Sequence, residues 1–493
     1  MVDFTGSESL KGFFAPERFE ADIYECQVLG QIPKDLDGAF VRVGSSWDYP
    51  PLYPDDAPFN QDGYVSTFRF RNGVCSFKGR WVRTERYNNN HAAGRQLYGL
   101  YRNPFTDKPE VRDIANPHRR TAANTAPIAH GGKLFALKED GLPYVIDPVT
   151  LETLGTWDFA GRYKSQTFTA HPKIDPVTGE MITFGYEATG LATDDLYVYF
   201  IDASGNVTRE VRLKVPYVSM LHDIGLTSHH IIFPVFPYVA DMERLRAGKL
   251  HWAWDNRAPM YYGVLPRDGD SQDVRWFKGP QRAVVHTLNA RTEGRKIILD
   301  APIFDGNPFP FFPFLDGTKW DPVKGSAFFR RVTIDLDSRD DSYAEEVLFP
   351  DRSVVDLVRI DERFTGLPSR YAYTSFADSS RPFDLEAENT SRVANSYGRF
   401  DLQTGKMESY FAGSVHSLQE VCFVPRPGSH AEGDGYLIGV ASNFAEMRSE
   451  LVIIDAENLA AGDLARVILP FRSSCQVHGK WVTPAELPAL AEP

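Results

Sequence analysis

Residues 216–234 read PYVSMLHDIGLTSHHIIFP, and this stretch decides how the rest of the chain is interpreted. β-Branched and aromatic residues between prolines favour strand over helix. We therefore expect a strand over residues 217–221, a turn at residues 222–223, and a second strand that ends at residues 229–233. His222 would lie where the first strand gives way to the turn, so that its ring could project into a central cavity. A lone histidine at such a turn is more often a hydrogen-bonded turn residue.

Three further histidines occur in similar settings, which favours a shared site over four unrelated turn residues. They are His171 in TFTAHPKID, His286 in RAVVHTLNA and His478 in SSCQVHGKWV. The four lie far apart along the chain, which excludes a local site of the zinc-finger type. A propeller can deliver one ring per blade to its axis, and imidazole suits Fe, Zn, Cu and Ni. The pattern alone does not exclude three more histidines as ligands: His229, His230 and His416.

The composition favours an all-β fold. The chain has 34 Phe, 22 Tyr and 8 Trp, with 38 Gly and 34 Pro, which is typical of many short strands joined by tight turns. After an irregular arm over residues 1–35, strand–turn–strand units recur without helical alternation, and Asn72-Gly73 is a strong hairpin signal. We predict a β-propeller forming one domain over residues 1–493, since a two-sheet sandwich would require several domains.

Longer loops interrupt the strand pattern and are predicted to form a cap on one face. They span residues 88–120, 239–273, 302–326 and 376–392. Within them, residues 304–317 read FDGNPFPFFPFLDG. These phenylalanines could pack the cap onto the propeller, line an apolar tunnel for a flat substrate, or, less readily, dip into a membrane surface.

Charge and cysteine usage restrict the partners and the compartment. The net charge is -13 without a basic run, which argues against nucleic acid as a partner. Cys26, Cys75, Cys422 and Cys475 are scattered, which indicates a reducing cytoplasm and no disulfide framework. No stretch approaches the ~20 apolar residues of a membrane span, and the first residues do not form a secretory signal. We therefore expect a soluble cytoplasmic protein.

Metal-bound imidazoles usually donate their second N–H to a carboxylate or a carbonyl. Three acids lie in semi-apolar, strand-like settings and are candidates for this role: Glu139 in FALKEDGLPY, Asp356 in SVVDLVRID and Glu420 in SLQEVCFVP. An acid inside an apolar run is costly unless it is paired. Asp356 could equally be a surface acid of a hairpin.

Several blocks along nearly the whole chain resemble one family. They include FNQDGYVSTFRF, TAANTAPIAHGGKLFALKEDGLPYVIDP, FTAHPKIDPVTGEMITFGY, LHDIGLTSHHIIFP, VVHTLNA, DLVRIDERF, QEVCFVPR and VHGKWV. The sequence resembles the carotenoid cleavage oxygenases, and within them the lignostilbene dioxygenases. The resemblance implies a seven-bladed β-propeller capped by a dome of loops and helices, with non-haem Fe(II), and a homodimer is an expectation of the same kind.

Carried over by motif, the iron ligands implied by the resemblance are His171, His222, His286 and His478. Three glutamates that bond to such histidines in the family fall on Glu139, Asp356 and Glu420. Asp356 departs from the pattern because it is one methylene shorter, which puts its bond to a histidine in doubt. The family threonine that crowds a vacant iron position falls on Thr125 in ANTAP.

The stilbene-cleaving branch is distinguished by a pair that recognises a phenol, and this pair matches Lys138 and Tyr101. Phe59 matches its ring-stacking phenylalanine. Lys138 follows Leu-Phe-Ala-Leu, where an ammonium requires an anion or a phenol as a partner. A salt bridge to a nearby acid is the alternative. Glu139 is a poor partner, because neighbours on a strand point to opposite faces.

These observations predict a dioxygenase that uses Fe(II) and O2 to split the central C=C of a 4-hydroxystilbene into two aromatic aldehydes. Lys138 and Tyr101 would bind the 4-hydroxyl and favour its ionised form, and Phe59 would hold the flat rings. An oxygenase that cleaves apocarotenoids is the alternative within the family. A metal-dependent propeller hydrolase and a non-catalytic propeller scaffold are alternatives from other classes.

Overall fold

The computed structural model describes residues 4, 10–384, 394–473 and 476–491. Within these residues the strands form seven main sheets and one two-stranded sheet. The main sheets are arranged as a seven-bladed β-propeller, which confirms the all-β prediction. Each blade has a local core of aliphatic and aromatic side chains from its own strands and those of its neighbour, as in the cluster around Ile232, Leu299 and Val332.

The first four blades follow one another along the chain. Blade 1 contains β1 (Ala21–Ile23), β3 (Gly38–Ser46), β4 (Asp62–Arg71), β5 (Val74–Trp81) and β31 (Gln476–Val482). Blade 2 contains β6 (Ala126–His130), β7 (Lys133–Leu137), β8 (Tyr144–Ile146) and β9 (Thr153–Thr156). Blade 3 contains β10 (Lys173–Ile174), β11 (Met181–Tyr186), β12 (Asp195–Ile201) and β13 (Val207–Lys214). Blade 4 contains β14 (Gly225–Leu226), β15 (His230–Val235), β18 (Met260–Pro266) and β19 (Arg275–Gly279).

The remaining blades complete the circle. Blade 5 contains β20 (Asn289–Glu293), β21 (Lys296–Phe304), β22 (Ala327–Asp335) and β23 (Ala344–Val347). Blade 6 contains β24 (Tyr371–Phe376), β25 (Ser396–Asp401) and β26 (Met407–Phe411). Blade 7 contains β2 (Gln27–Gly30), β27 (His416–Pro425), β28 (Gly435–Asn443), β29 (Arg448–Asp455) and β30 (Asp463–Ile468). The two-stranded sheet pairs β16 (Tyr238–Val239) with β17 (Ala253–Trp254).

Strands from the two ends of the chain close the propeller. Strand β31 pairs with β3, with His478 opposite Val43. Strand β2 pairs with β30 at the outer edge of blade 7, and β1 pairs with β5 at the outer edge of blade 1. The expectation of an irregular arm before residue 36 is therefore wrong for these two short strands. Their backbone groups complete sheet edges that would otherwise be open.

The stretch over residues 216–234 differs in part from its prediction. Residues 217–221 are irregular, because only isolated bonds hold them: Met220 N donates to Tyr238 O, and Ser219 Oγ donates to Phe236 O. The first strand comes after the turn, as β14, and the second is β15. The Asn72-Gly73 hairpin is confirmed, with φ of 53° and 78° between β4 and β5.

Helices are few and short. The α-helices are α1 (Glu85–Ala93), whose first turn is capped by the Thr84 hydroxyl, and α2 (Met242–Arg246). Short 3₁₀ turns occupy Gly12–Phe14, Pro58–Asn60, Pro104–Thr106, Pro117–Arg120, Ser271–Asp273, Glu362–Phe364, Leu459–Ala461 and Pro488–Ala491. None of the helices in the described part of the chain is long and apolar enough to cross a membrane.

Three of the long loops contact one another and form the cap. Asn103, in the loop over residues 88–120, donates to the carbonyls of Leu245 and Lys249 in the loop over residues 239–273. Trp254, in the loop over residues 239–273, donates its backbone N–H to Pro313 O in the loop over residues 302–326 at 2.8 Å. Part of the fourth loop, residues 385–392, lies outside the described residues, as does Cys475. Cys26, Cys75 and Cys422 are free, buried thiols.

Candidate metal centre and phenol site

Seven segments along the propeller axis each bring one predicted site residue to the same end of the axis. Each segment then continues away from the site, and the following residues line a common axial cavity of about 340 Å³. The seven site residues are Thr125 before β6, His171 before β10, His222 before β14, His286 before β20, Asp356 before β24, Glu420 in β27 and His478 in β31. The closed ring of blades therefore converts widely spaced sequence positions into one site.

The four predicted histidines form a compact cluster. Their ligand nitrogens all lie within 4.8 Å of one another, and Nε2 of His171 is 3.0 Å from Nε2 of His222. Nε2 of His286 and of His478 are buried without a hydrogen-bond partner. Buried polar atoms without a partner are costly. A metal ion shared by the four rings would give these nitrogens a partner, so the residues fit a metal site.

The electrostatics keep the rings in the form that binds metal. Burial lowers the pKa of His286 to about 3 and that of His478 to about 4, and it lowers the pKa of His171 well below its usual value. A neutral imidazole retains the lone pair that a metal ion accepts. At neutral pH these three rings are therefore ready to coordinate an ion without first losing a proton.

Each of three ligand histidines has its own carboxylate. Asp356 Oδ2 lies 2.7 Å from His286 Nδ1, and Glu420 Oε1 lies 2.8 Å from His478 Nδ1. Glu139 Oε1 lies 3.6 Å from His222 Nδ1, which is longer than a hydrogen bond.

The doubt about Asp356 is resolved by this geometry, because its shorter side chain still reaches a ring. Its side chain is 15% exposed and bonds to a histidine of the cluster, so it is not a surface acid of a hairpin. The sequence could not assign these pairs, since the assignment depends on which blades are neighbours.

Glu420 is the most completely bonded of the three carboxylates. Its Oε2 accepts from Gly479 N at 2.7 Å and from Arg359 Nη2 at 2.9 Å. Burial alone would raise the pKa of Glu420, but Arg359 and His478 lower it to about 2. Glu420 therefore remains anionic and fixes both the ring and the backbone of the segment that carries His478.

Lys138 is a buried cation whose contacts are neutral. Its strand ends at Leu137, so Lys138 and Glu139 lie just beyond β7 and the rule of opposite faces does not apply to them. Lys138 Nζ donates to Phe59 O at 2.6 Å and to Asn124 Oδ1 at 2.7 Å, and the residue is 3% exposed. Among the described residues no carboxylate lies within 4.0 Å of Nζ, so the salt-bridge alternative is not observed.

An ammonium has three N–H donors, and these contacts use two of them. Burial lowers the pKa of Lys138, although Asp140 and Glu139 oppose the shift from further away. The remaining donor, on an ammonium that no carboxylate of the described residues contacts, makes this position suited to an anionic or phenolic oxygen.

Tyr101 lies beside Lys138 but directs its proton elsewhere. Its hydroxyl donates to Glu139 Oε1 at 2.9 Å, while its ring centroid is 5.0 Å from Lys138 Nζ. Tyr101 has a single O–H, so in this arrangement it cannot also donate to a bound phenol, although its oxygen can still accept a hydrogen bond. The predicted role of Tyr101 as a donor to the substrate therefore needs revision.

Phe59 continues the site as an aromatic wall. Its ring meets Tyr101 edge-on at 6.1 Å, Phe309 at 5.3 Å and Phe311 at 5.2 Å. The phenylalanines of residues 304–317 thus pack the cap. Two of them, Phe309 and Phe311, also contact the ring of Phe59, whose carbonyl accepts from Lys138. Thr125, at 9% exposure, bonds to Asn124, the residue that also accepts from Lys138.

Sequence reasoning missed two residues that organise the site. Asn124 accepts from Lys138, and Asp223 bonds to segments on either side of its own. Asp223 could have been noticed because it directly follows His222 in a strand-turn segment. Of the histidines left open, His416 pairs with Glu450 at 3.1 Å, and within the described residues the metal-binding cluster contains only the four predicted ones.

Comparisons with known proteins show which family the chain resembles over its length. The family model described as retinal pigment epithelial membrane protein matches residues 14–483. The chain is 41% identical over 495 residues to lignostilbene-alpha,beta-dioxygenase isozyme III of Sphingomonas paucimobilis, covering 100% of both chains. It is 40% identical over 476 residues to isoeugenol monooxygenase of Pseudomonas putida, covering 96% of this chain and 97% of that one. The crystal structure of Pseudomonas brassicacearum lignostilbene dioxygenase matches with a TM-score of 0.94 at 38% identity, over 98% of this chain and 100% of that one.

Proposed function

The chain belongs to the retinal pigment epithelial membrane protein family, which is the family of the carotenoid cleavage oxygenases, and on this premise we propose that it is an Fe(II)-dependent dioxygenase of 4-hydroxystilbenes. It uses O2 to cleave the central C=C bond, and the products are two aromatic aldehydes. The similarity to two lignostilbene dioxygenases over essentially the whole chain supports this assignment.

The observation that carries the substrate class is Lys138. A 97% buried ammonium with only two neutral acceptors is expensive unless a ligand supplies negative charge. The 4-hydroxyl of a stilbene, bound as a phenolate, provides that charge. An apocarotenoid without a phenol would leave Lys138 with no such partner.

The metal is the second part of the proposal. His171, His222, His286 and His478 would hold iron, because four neutral imidazoles suit Fe(II) and leave coordination positions open. When bound, the iron supplies the one-electron chemistry that allows O2 to react with an alkene. Asp356 and Glu420 hold two of the four rings in position through hydrogen bonds, and Glu139 lies beside a third ring, that of His222.

The remaining residues act on the substrate. Lys138 donates its third N–H to the phenol oxygen and stabilises the phenolate, whose electrons delocalise through the ring towards the alkene. Tyr101 holds Glu139 through the hydrogen bond that its hydroxyl donates, and its ring lies beside the Lys138 ammonium. Phe59 and the phenylalanines that contact it restrict the tilt of the flat rings, so that the alkene faces the metal site.

A second candidate substrate is isoeugenol, a single-ring phenol with a conjugated alkene. The observation in its favour is that identity to an isoeugenol monooxygenase, 40%, is almost equal to the identity to the lignostilbene enzyme. Lys138 would recognise its phenol in the same way. The aromatic wall of Phe59, Phe309 and Phe311 favours the stilbene, because a second ring gains contacts there that isoeugenol cannot make.

A substrate panel tests the proposal. Iron-loaded protein is incubated with O2 and a 4-hydroxystilbene, its 4-methoxy analogue, isoeugenol or an apocarotenal, and aldehyde formation is followed by chromatography. We expect the 4-hydroxystilbene to give two aldehydes at the highest kcat/KM and the 4-methoxy analogue to remain uncleaved. Faster cleavage of isoeugenol would select the second candidate, and faster cleavage of the apocarotenal would overturn the phenol-based proposal.

We further propose a domain assignment, a compartment and an oligomeric state for this protein. Residues 1–493 constitute one oxygenase domain, supported by the closure of blade 1 with β31 and of blade 7 with β2. The protein works in the cytoplasm, supported by the free thiols of Cys26, Cys75 and Cys422. It forms a homodimer, which sedimentation of the wild-type protein tests directly.

A further inference from the structure

The Asp223 carboxylate connects the segments that carry three of the four metal-binding histidines. It is 1% exposed and directly follows His222 in the chain. Its Oδ1 lies 2.8 Å from Nζ of Lys173, which is two residues after His171. Its Oδ2 accepts from the backbone N–H of Thr287, one residue after His286, at 2.8 Å and from the Thr287 hydroxyl at 2.9 Å.

These contacts join three different blades at the level of the metal site. Lys173 begins β10 of blade 3, Asp223 precedes β14 of blade 4, and Thr287 precedes β20 of blade 5. Among the described residues, strands of these three blades share no backbone hydrogen-bond ladder, so side-chain contacts help to set the spacing between the blades at the axis. One carboxylate that accepts from both neighbouring blades fixes this spacing directly.

From this geometry we propose that Asp223 is a positioning residue of the metal centre, which sets the distances between His171, His222 and His286. The proposal rests on the metal site of the proposed function. His171 depends on Asp223 most strongly, since among the described residues no carboxylate bonds to its ring. His478 does not depend on it, because Glu420 and Arg359 bond to its own segment.

Asp300 provides a matched control. It is also a buried, ion-paired aspartate, at 2% exposure, and it accepts from Arg331 Nε at 2.7 Å and from Arg291 Nη1 at 3.3 Å. Its partners lie in β20 and β22, on either side of its own strand β21, so these bonds stay within blade 5. Loss of the Asp300 charge should therefore lower stability without changing the distances between blades.

The test compares Asp223→Asn with Asp300→Asn and with the wild type. Metal is removed and Co(II) or Fe(II) is titrated back against a chromophoric chelator without substrate, and the visible absorption of the Co(II) form reports the ligand geometry. We expect Asp223→Asn to bind metal about 10–100-fold more weakly, the usual scale for residues that orient ligands, with a changed Co(II) spectrum. Asp300→Asn should melt at a lower temperature but keep the affinity and the spectrum of the wild type.

Wild-type affinity and spectrum in Asp223→Asn would overturn the proposal, as would an equal loss of affinity in Asp300→Asn. If Asp223→Asn does not fold, Thr287→Val and Lys173→Gln take its place, because each removes one side-chain donor to Asp223, while the Thr287 backbone N–H remains in both. Each should weaken metal binding in the same direction by a smaller factor, and wild-type affinity in both would equally overturn it. The titration contains no substrate, so a failure to cleave stilbenes would reject the proposed function and leave this result intact.

Discussion

The Tyr101 hydroxyl donates a hydrogen bond of 2.9 Å to Glu139 Oε1, on the side of Glu139 that faces His222. The ring of the same tyrosine lies beside the Lys138 ammonium. Tyr101 therefore touches both the residue that would bind the phenol and the carboxylate that lies beside His222. A substitution at Tyr101 should affect substrate recognition and the metal centre together.

Tyr101→Phe should lower kcat/KM on 4-hydroxystilbenes, because it releases Glu139 next to Lys138; the bond it removes, to a charged group, is worth ~1.5–3 kcal/mol, so the loss should not exceed about 10–150-fold. It should also weaken iron retention, since Glu139 loses a donor that holds it in place. Steady-state kinetics and iron analysis of the same preparation measure both effects. Tyr98→Phe is the control, because the Tyr98 hydroxyl accepts from Asn89 within the cap and makes no contact with the site. Normal iron content and kinetics in Tyr101→Phe would show that the bond to Glu139 has no role.

His286→Ala should remove most of the iron and all cleavage activity, because it deletes one of four ligands and leaves the half-buried Asp356 without its partner. The same result is expected at His171, His222 and His478. Metal analysis of the purified variants checks it. His416→Ala is the matched control, since His416 is a comparably buried ring paired with a glutamate outside the cluster, and it should keep its iron. A variant of the four that retained stoichiometric iron would remove that residue from the ligand set.

Glu420→Gln should keep the fold and weaken iron affinity or turnover by about 10–100-fold. The amide cannot reproduce a carboxylate that accepts from His478, Gly479 and Arg359 at once. Glu450→Gln is a close control, because Glu450 is also buried in blade 7 and also accepts from an arginine and a histidine, Arg466 and His416. Equal losses in both variants would mean that the effect at Glu420 is general destabilisation.

The pH dependence of kcat/KM should report the Lys138 ammonium. Burial lowers its pKa below the ordinary 10.5, so the ammonium form of Lys138 is lost as pH rises through this lowered value. Activity on the phenol should therefore fall on the alkaline side earlier than an ordinary lysine would cause. Lys138→Arg, whose charge persists, should move that fall to higher pH, as measured by kcat/KM profiles at matched iron content. If the alkaline fall of kcat/KM is unchanged in Lys138→Arg, that fall is caused by the titration of another group.

The sequence alone predicted the propeller and the four clustered histidines, because both depend on patterns that can be read along the chain. The alternation of short strands with turns predicts a propeller, and the blocks around His171, His222, His286 and His478 are each recognisable locally. The prediction of a strand over residues 217–221 was wrong, because a β-branched run does not reveal whether a neighbouring strand is available for pairing.

The rest of the site depends on which blades are neighbours. Asp356 reaches His286 despite its shorter side chain, and no local signal gives that distance. Asp223 bonds to residues that precede and follow it by many positions, so its role is invisible without the closed ring of blades. The bond from Tyr101 to Glu139 likewise joins a cap loop to the end of a strand, and it changes what a tyrosine at this position can offer to a substrate.

The measurement that tests the central claim most directly is kcat/KM of Lys138→Met on a 4-hydroxystilbene and on its 4-methoxy analogue. Methionine keeps an apolar stem of similar length and removes only the charge and its donors. Lys133→Met is the control, because Lys133 lies on the same hairpin and stacks on Trp157 at its surface. If the ammonium stabilises the phenolate, Lys138→Met should fold, retain iron and lose at least 10–150-fold in kcat/KM on the phenol, while the wild type leaves the methoxy analogue uncleaved. Full activity of iron-loaded Lys138→Met, or equal cleavage of phenol and methoxy compound by the wild type, would contradict the account.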